Sequence, residues 1–121
     1  MGSQDLVYEN AAFGCKVKRQ VIENNCQLSL IGTFDHNLVK DFRQLIAVES
    51  SREICLNLAQ AHISDNFLGL LIALKFEFAK KQRKFYLSEL STQAHDFLQE
   101  MNILDFLKEK SPELPTNKKP I

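Results

Sequence analysis

Three histidines, His36, His62 and His95, are the side chains best suited to proton transfer or metal binding near neutral pH. Their spacing supports neither role. No His lies at zinc-ligand spacing from Cys15, Cys26 or Cys55, and no Cys-x-x-Cys or His-Glu-x-x-His occurs. A Gly-x-Ser-x-Gly elbow is also missing, and 4 glycines are too few for a phosphate-cradling loop. Asp and Glu recur at helical spacing, as on solvated helix faces, rather than as an acid/base pair. His36 reads as an exposed first-turn residue, His62 as a loop residue and His95 as a solvated helix residue. The cysteines are odd in number and far apart. They read as reduced thiols, with Cys26 and Cys55 packed as small apolar strand residues, which implies a cytoplasmic protein. The expectation is a chain that is not an enzyme and uses no metal and no cofactor.

The segment with the most chemical content is Ala61–Leu71 (AHISDNFLGLL), which joins a strand to the most apolar helix. The carboxyl end of a parallel strand is where α/β sheets bind ligands and partners, and a helix start favours an anion. Asp65 supplies a fixed negative charge there and reads as the N-cap. Asp35 reads as the cap of the preceding helix, its carboxylate accepting from free N–H groups of the first turn. Lys80, Lys81, Arg83 and Lys84 offset the negative end of the apolar helix. Their functional alternative is a weak contact with acidic lipid or an acidic partner face. With 15 Lys+Arg against 15 Asp+Glu, the chain lacks the basic balance of a nucleic-acid-binding domain.

The elements that must position these residues follow from periodicity. The 121 residues, 45% of them hydrophobic, suit one domain with a small core. Residues 1–13 lack a clear period and are expected to be a flexible arm, partly ordered. Lys16–Glu23 and Cys26–Ile31 alternate, which predicts a hairpin around Asn24-Asn25. Leu38, Phe42, Leu45 and Ile46 predict a helix from His36 to about Glu49. Glu53–Leu58 reads as a strand, 59–64 as a loop, and Asp65 to Lys81 as a helix more hydrophobic than one buried face requires. Lys84–Leu87 reads as a short strand. Ser91 caps a helix over Thr92–Met101, with Asn102 at a left-handed C-terminal position. Ile103–Leu107 is a last short strand or helical turn, and 111–121, with all three prolines, is expected to be a mobile tail. The predicted fold class is α/β. It has a small mixed, mostly parallel sheet, an N-terminal β-hairpin and three to four helices, in a single domain over 14–110. No apolar run approaches the ~20 residues of a membrane span, and no secretory signal is seen, so membrane insertion is not expected.

In this order the elements resemble the STAS family, the sulfate transporter and anti-sigma factor antagonist domains. The resemblance spans Lys16 to Glu109. Gly32-Thr33-Phe34-Asp35 stands where the family has Gly-x-Leu-Asp after the hairpin, and Asn57-Leu58 where a strand ends in Asp-Leu. Asp65 falls at the Asp of the family's Asp-Ser-Ser-Gly-Leu-Gly, and Asn102-Ile103 at a later Gly-Leu. The resemblance implies a STAS-like fold and a non-catalytic regulatory module that binds a protein partner. In the antagonists, the Ser before the Gly is phosphorylated by the partner kinase. The gap-free count places Phe67 there, whereas aligning Gly69 to the last Gly places Asn66 there. Neither carries a hydroxyl; Ser64 is a nearby hydroxyl off the family position. The expected partner surface is Asp35, His36, Asp65, Asn66, Phe67 and Leu68, apolar at its centre and suited to a standing interface. The implied partner is a kinase-like anti-sigma factor. The alternative is a role as cytoplasmic accessory subunit of a lipid-transport ABC transporter, meeting its ATPase subunit. The apolar excess of the second helix also allows a homodimer.

Overall fold

A computed structural model describes residues 4–51 and 53–110. Five strands form one sheet in chain order: β1 (Asp5–Asn10), β2 (Cys15–Ile22), β3 (Asn25–Phe34), β4 (Glu53–Ile63) and β5 (Lys84–Leu90). β1–β2 and β2–β3 are antiparallel, whereas β3–β4 and β4–β5 are parallel. A two-residue hairpin can join antiparallel strands, but parallel ones need a crossover. A 3-10 turn (His36–Leu38) leading into α1 (Val39–Ala47) crosses from β3 to β4, and α2 (Asp65–Lys80) from β4 to β5. α3 (Thr92–Glu100) and the short α4 (Leu104–Lys108) complete the chain. The architecture is mixed α/β, as the periodicity predicts.

One face of the sheet is the core. Val17, Cys26, Leu28, Leu30, Ile54, Leu56, Leu58, Phe85 and Leu87 are buried and form one cluster with residues of the four α-helices. The other face is mostly polar and part-exposed, with Lys16, Lys18, Gln27, Ser29, Asn57 and Ser88, although paired Cys55 and Tyr86 are buried on it. This is the alternation expected of a sheet covered on one side. Cys15, Cys26 and Cys55 are free and buried, as small apolar strand residues would be.

Several boundaries differ from the periodicity. Part of the expected arm is β1, paired along β2 from Asp5↔Arg19 to Asn10↔Cys15. Pairing, and not local propensity, orders it. The left-handed residue of the hairpin is Glu23 (φ 56), and the turn is Glu23-Asn24 because Ile22 pairs with Asn25. β3 continues past Ile31 to Phe34, and β4 past Leu58 to Ile63, so the expected loop at 59–64 is strand. The two strands keep pairing through Phe34↔Ile63. Gly32 permits this: its φ is +110, and a Cβ there would sit 2.5 Å from the Gly14 carbonyl oxygen. Helix α1 ends at Ala47 rather than Glu49, and the last apolar element is helical. Residues 111–121, the expected tail, lie outside the described residues.

The apolar excess of α2 has a structural use. Phe67, Leu68, Leu70, Leu71, Leu74 and Phe78 are all buried, because α2 meets α1, β5 and α4. A helix packed on more than one side needs more than one apolar face. No described helix is long and apolar enough to cross a membrane.

Candidate functional site

Parallel pairing sets the site. Because β3 and β4 run side by side in the same direction, their carboxyl ends and the helix starts that follow are neighbours. The Ser64 N–H donates to the Phe34 carbonyl at 3.1 Å, fastening the second junction to the first. At the first junction the Asp35 carboxylate accepts from the Asn37 N–H at 2.9 Å, so Asp35 is the expected cap. At the second the cap is Ser64, not Asp65. The Ser64 hydroxyl accepts from the Phe67 N–H at 3.3 Å, and Asp65 occupies the first turn, where a carboxylate favours the helix dipole.

The expected partner surface divides into exposed and buried halves. His36, Asp65 and Asn66 are exposed and Asp35 is half-buried, so these four lie on the open end of the two junctions. Exposed Thr33 and His62, paired across β3 and β4, adjoin them; His62 is on a strand, not in a loop. Phe67 and Leu68 are 0% and 4% exposed, which corrects the expectation of an apolar contact patch. The Phe67 ring sits between Phe34 and Phe42, with ring centroids 5.3 Å from each. The helix turn directs position 67 inward, so its aromatic group forms the floor beneath the surface. A charge at Phe67 would unfold the junction rather than report on binding.

Ser91, expected as a helix cap, and Gln93, which the sequence does not single out, hold the site in place. β5 stops pairing at Leu58↔Leu90, which leaves the last residues of β4 without a strand on that side. The chain after β5 replaces it. Ser91 N–H donates to the Leu58 carbonyl at 2.9 Å, and the Ser91 hydroxyl to the Ala61 carbonyl at 2.7 Å. Gln93 then meets Ile63 as a strand residue would: the Ile63 N–H donates to Gln93 Oε1 and Gln93 Nε2 to the Ile63 carbonyl, each at 3.0 Å. Ser91 also caps α3, accepting from the Ala94 N–H at 3.1 Å, as its sequence position predicts. Gln93 carries no such signal, because its partner lies 30 residues away.

The groups with displaced ionisation lie elsewhere. At the opposite end of the parallel strands, Arg19 grips both Glu49 oxygens (2.8 and 3.2 Å) and holds that carboxyl down at about 2, with Ser51 adding hydrogen bonds. The basic cluster is divided. Arg83 turns inward over the Phe78 ring (4.2 Å) and donates to the Glu49 and Ser51 carbonyls, and Lys84 pairs with Glu53 at 3.6 Å. Lys80 and Lys81 stay exposed. His95 lies on α3 beside Asp96, apart from His36 and His62. Among the described residues no group of three His, Cys, Asp or Glu could hold a metal ion. What the junction surface can do chemically is present two carboxylates, two imidazoles and an amide.

No protein-family model and no curated protein sequence matches the chain. Among solved structures, the anti-sigma factor antagonist SpoIIAA in its unphosphorylated form is similar, with a TM-score of 0.65 and 16% identity. That similarity covers 77% of this chain and 85% of the other. At this identity it is the fold that is shared, and the STAS-like architecture expected from the ordered elements is the one found.

Proposed function

We propose that this chain is a non-catalytic, STAS-like regulatory module that binds a protein partner through the two strand–helix junctions. The contact residues are Asp35, His36, Asp65 and Asn66. Phe67 and Leu68 act beneath them, as the packed floor that fixes their position. The observation that carries this reading is the Ser64-to-Phe34 backbone bond, which fastens the two helix starts side by side and supports a shared contact surface. A surface already ordered before binding loses less conformational freedom on association. Its two aspartates suit a partner face that is basic or rich in hydrogen-bond donors, and the resemblance to antagonists suggests a kinase-like anti-sigma factor.

In this reading the module is not switched by phosphorylation at the family position. Asn66 has no hydroxyl, Phe67 is buried with none, and the Ser64 hydroxyl is occupied in capping α2. The transporter-subunit alternative rests on the family resemblance; the burial of Leu68 and Leu70 on α2 leaves less free apolar surface for it than the sequence suggests.

A double variant, His36→Lys with Asp65→Asn, tests the surface, since both side chains are exposed, both changes make the surface less acidic, and unfolding is expected to stay near the parent's. Capture of a kinase-like partner should fall at least about tenfold, the scale of one lost charge-assisted contact. Undiminished capture by the folded variant would sink the assignment. Incubation with the partner and ATP, followed by intact-mass measurement, should show no added phosphate.

A further inference from the structure

Asp35, His36, Asp65 and Asn66 make the junction surface polar, since Phe67 and Leu68 lie beneath it. The core of a protein interface is enriched in aromatic side chains, and a few buried anchors carry most of its energy. One aromatic side chain stands open beside the junctions. Phe13 is 45% exposed and is the only aromatic among the exposed large apolar side chains of the described residues. It lies in the β1–β2 turn, where Gly, Asn, Asp, Ser and Pro are the usual choices. Its neighbours Ala11, Ala12 and Gly14 are exposed and too small to shield the ring. A residue that breaks a local rule without a gain in packing points to function.

The register of the sheet fixes where this turn stands. β2 and β3 pair antiparallel as far as Lys16↔Ile31, so the turn before Cys15 runs level with residues 32–35. The approach is close: a Cβ at Gly32 would lie 2.5 Å from the Gly14 carbonyl oxygen and 2.9 Å from the Cys15 Cα. Burial raises the ionisation of the Cys15 thiol, and the nearby Asp35 charge adds to that rise. Gly32 and Thr33 pair on their other side with Ala61 and His62 of β4. With strands about 4.8 Å apart, the line of the turn is about 10 Å from the line of β4. A standard interface takes about 800 Å² from each partner, a patch about 30 Å across. A partner seated on the two junctions therefore reaches the turn.

The turn is also held in shape. The Phe13 N–H donates to the Asn10 carbonyl at 3.2 Å and to Asn10 Oδ1 at 3.3 Å, and the Gly14 N–H to the Ala11 carbonyl at 3.3 Å. Asn10 Nδ2 donates to the Tyr8 hydroxyl at 3.3 Å, which donates to Asp41 of α1 at 2.7 Å. An anchor on an ordered turn loses less freedom on association.

We propose that Phe13 is the aromatic anchor of the partner interface. The partner that meets Asp35 and Asp65 with basic or hydrogen-bond-donating groups also carries an apolar recess that takes the Phe13 ring. This role rests on the junctions being the contact surface, and it supplies the apolar burial that their polar side chains do not.

The probe is the purified protein that the parent chain captures and the His36→Lys/Asp65→Asn variant loses. Phe13→Ala should bind it at least about tenfold more weakly, as for a buried anchor, while its urea unfolding stays close to the parent's. Phe13→Trp gives a direct readout, because the chain has no other Trp. Its indole emission, taken against the parent complex as baseline, should be quenched by iodide in the free chain. At saturating partner it should shift to the blue and lose that quenching. Parent-like binding by Phe13→Ala, or an indole still quenched in the complex, would overturn the role of Phe13 and leave the junctions standing. If no captured protein depends on His36 and Asp65, the junction reading fails and the anchor falls with it.

Discussion

Glu49 is 8% exposed, so its charge is stable only because Arg19 and Ser51 together satisfy both oxygens. Its folded value of about 2 lies below the ordinary 4.5. A group depressed in this way stabilises the fold above pH 4.5 and loses that contribution as the pH falls towards 2. Glu49→Gln is therefore expected to cost about 2 kcal/mol at pH 7, the scale of a charge-assisted pair partly open to water. The deficit should shrink between pH 4.5 and 2. Urea unfolding of parent and variant across that range reads it directly, and a deficit independent of pH would assign the loss to packing instead. The same scale separates Phe67 from its neighbours. One position along α2 changes an exposed amide into a buried ring, so under the proposed function only Asn66 of the two can touch a partner.

At the scale of elements, β4 is the component that makes the junction surface. It outruns β5, and the start of α3 takes over the ladder through Ser91 and Gln93. Gln93→Ala leaves the Ile63 N–H and carbonyl without these partners, at a cost of about 1–3 kcal/mol. Exchange of the Ile63 amide should speed up more than exchange in Ile54–Leu58, which retains β5. Hydrogen exchange followed residue by residue checks this, and an unchanged Ile63 amide would mean that β4 is held by β3 alone. The arrangement also couples the helix starts: α3 braces β4, β4 braces Ser64, and Ser64 caps α2.

For the molecule as a whole, Lys75 joins three elements at one buried point. Its ammonium, on α2, donates to the Phe85 carbonyl of β5 at 2.9 Å and to the Glu109 carbonyl just past α4, near the Phe106 ring. The side chain is 4% exposed. Burial lowers its ionisation to about 8, and the Glu109 charge offsets part of that shift. Because the folded value lies below the ordinary 10.5, the folded chain releases this proton first, and stability should rise as the pH moves from 8 to 10.5. Lys75→Met should lack that increment. The difference between parent and variant over that interval, from denaturant midpoints, isolates the group from the tyrosines, which titrate in both. A constant difference would show that Lys75 stays charged in the fold. The net charge of zero belongs to this scale too. The charges are distributed by site: acidic at the junctions and along β1, basic at the end of α2.

Local sequence patterns suffice for the α/β class, the order of elements from Lys16 to Met101, the capping by Asp35 and Ser91, and the absence of a hydroxyl at Asn66 and Phe67. These properties are local: a period of 2 or 3.6, a short polar side chain before a helix, a residue type at a counted place. The tertiary structure alone decided the rest. Asp5–Asn10 is a strand because β2 offers a ladder, 59–63 is a strand because β3 runs alongside, and Gln93 matters because a residue 30 positions away needs its amide. The site was half legible. The position of the junction followed from the strand–helix alternation. Which of Asp65, Asn66, Phe67 and Leu68 face outward did not, because a helix apolar on several sides has no single stripe from which to read its orientation. Packing against α1, β5 and α4 sets that rotation, and those contacts exist only once the chain has folded.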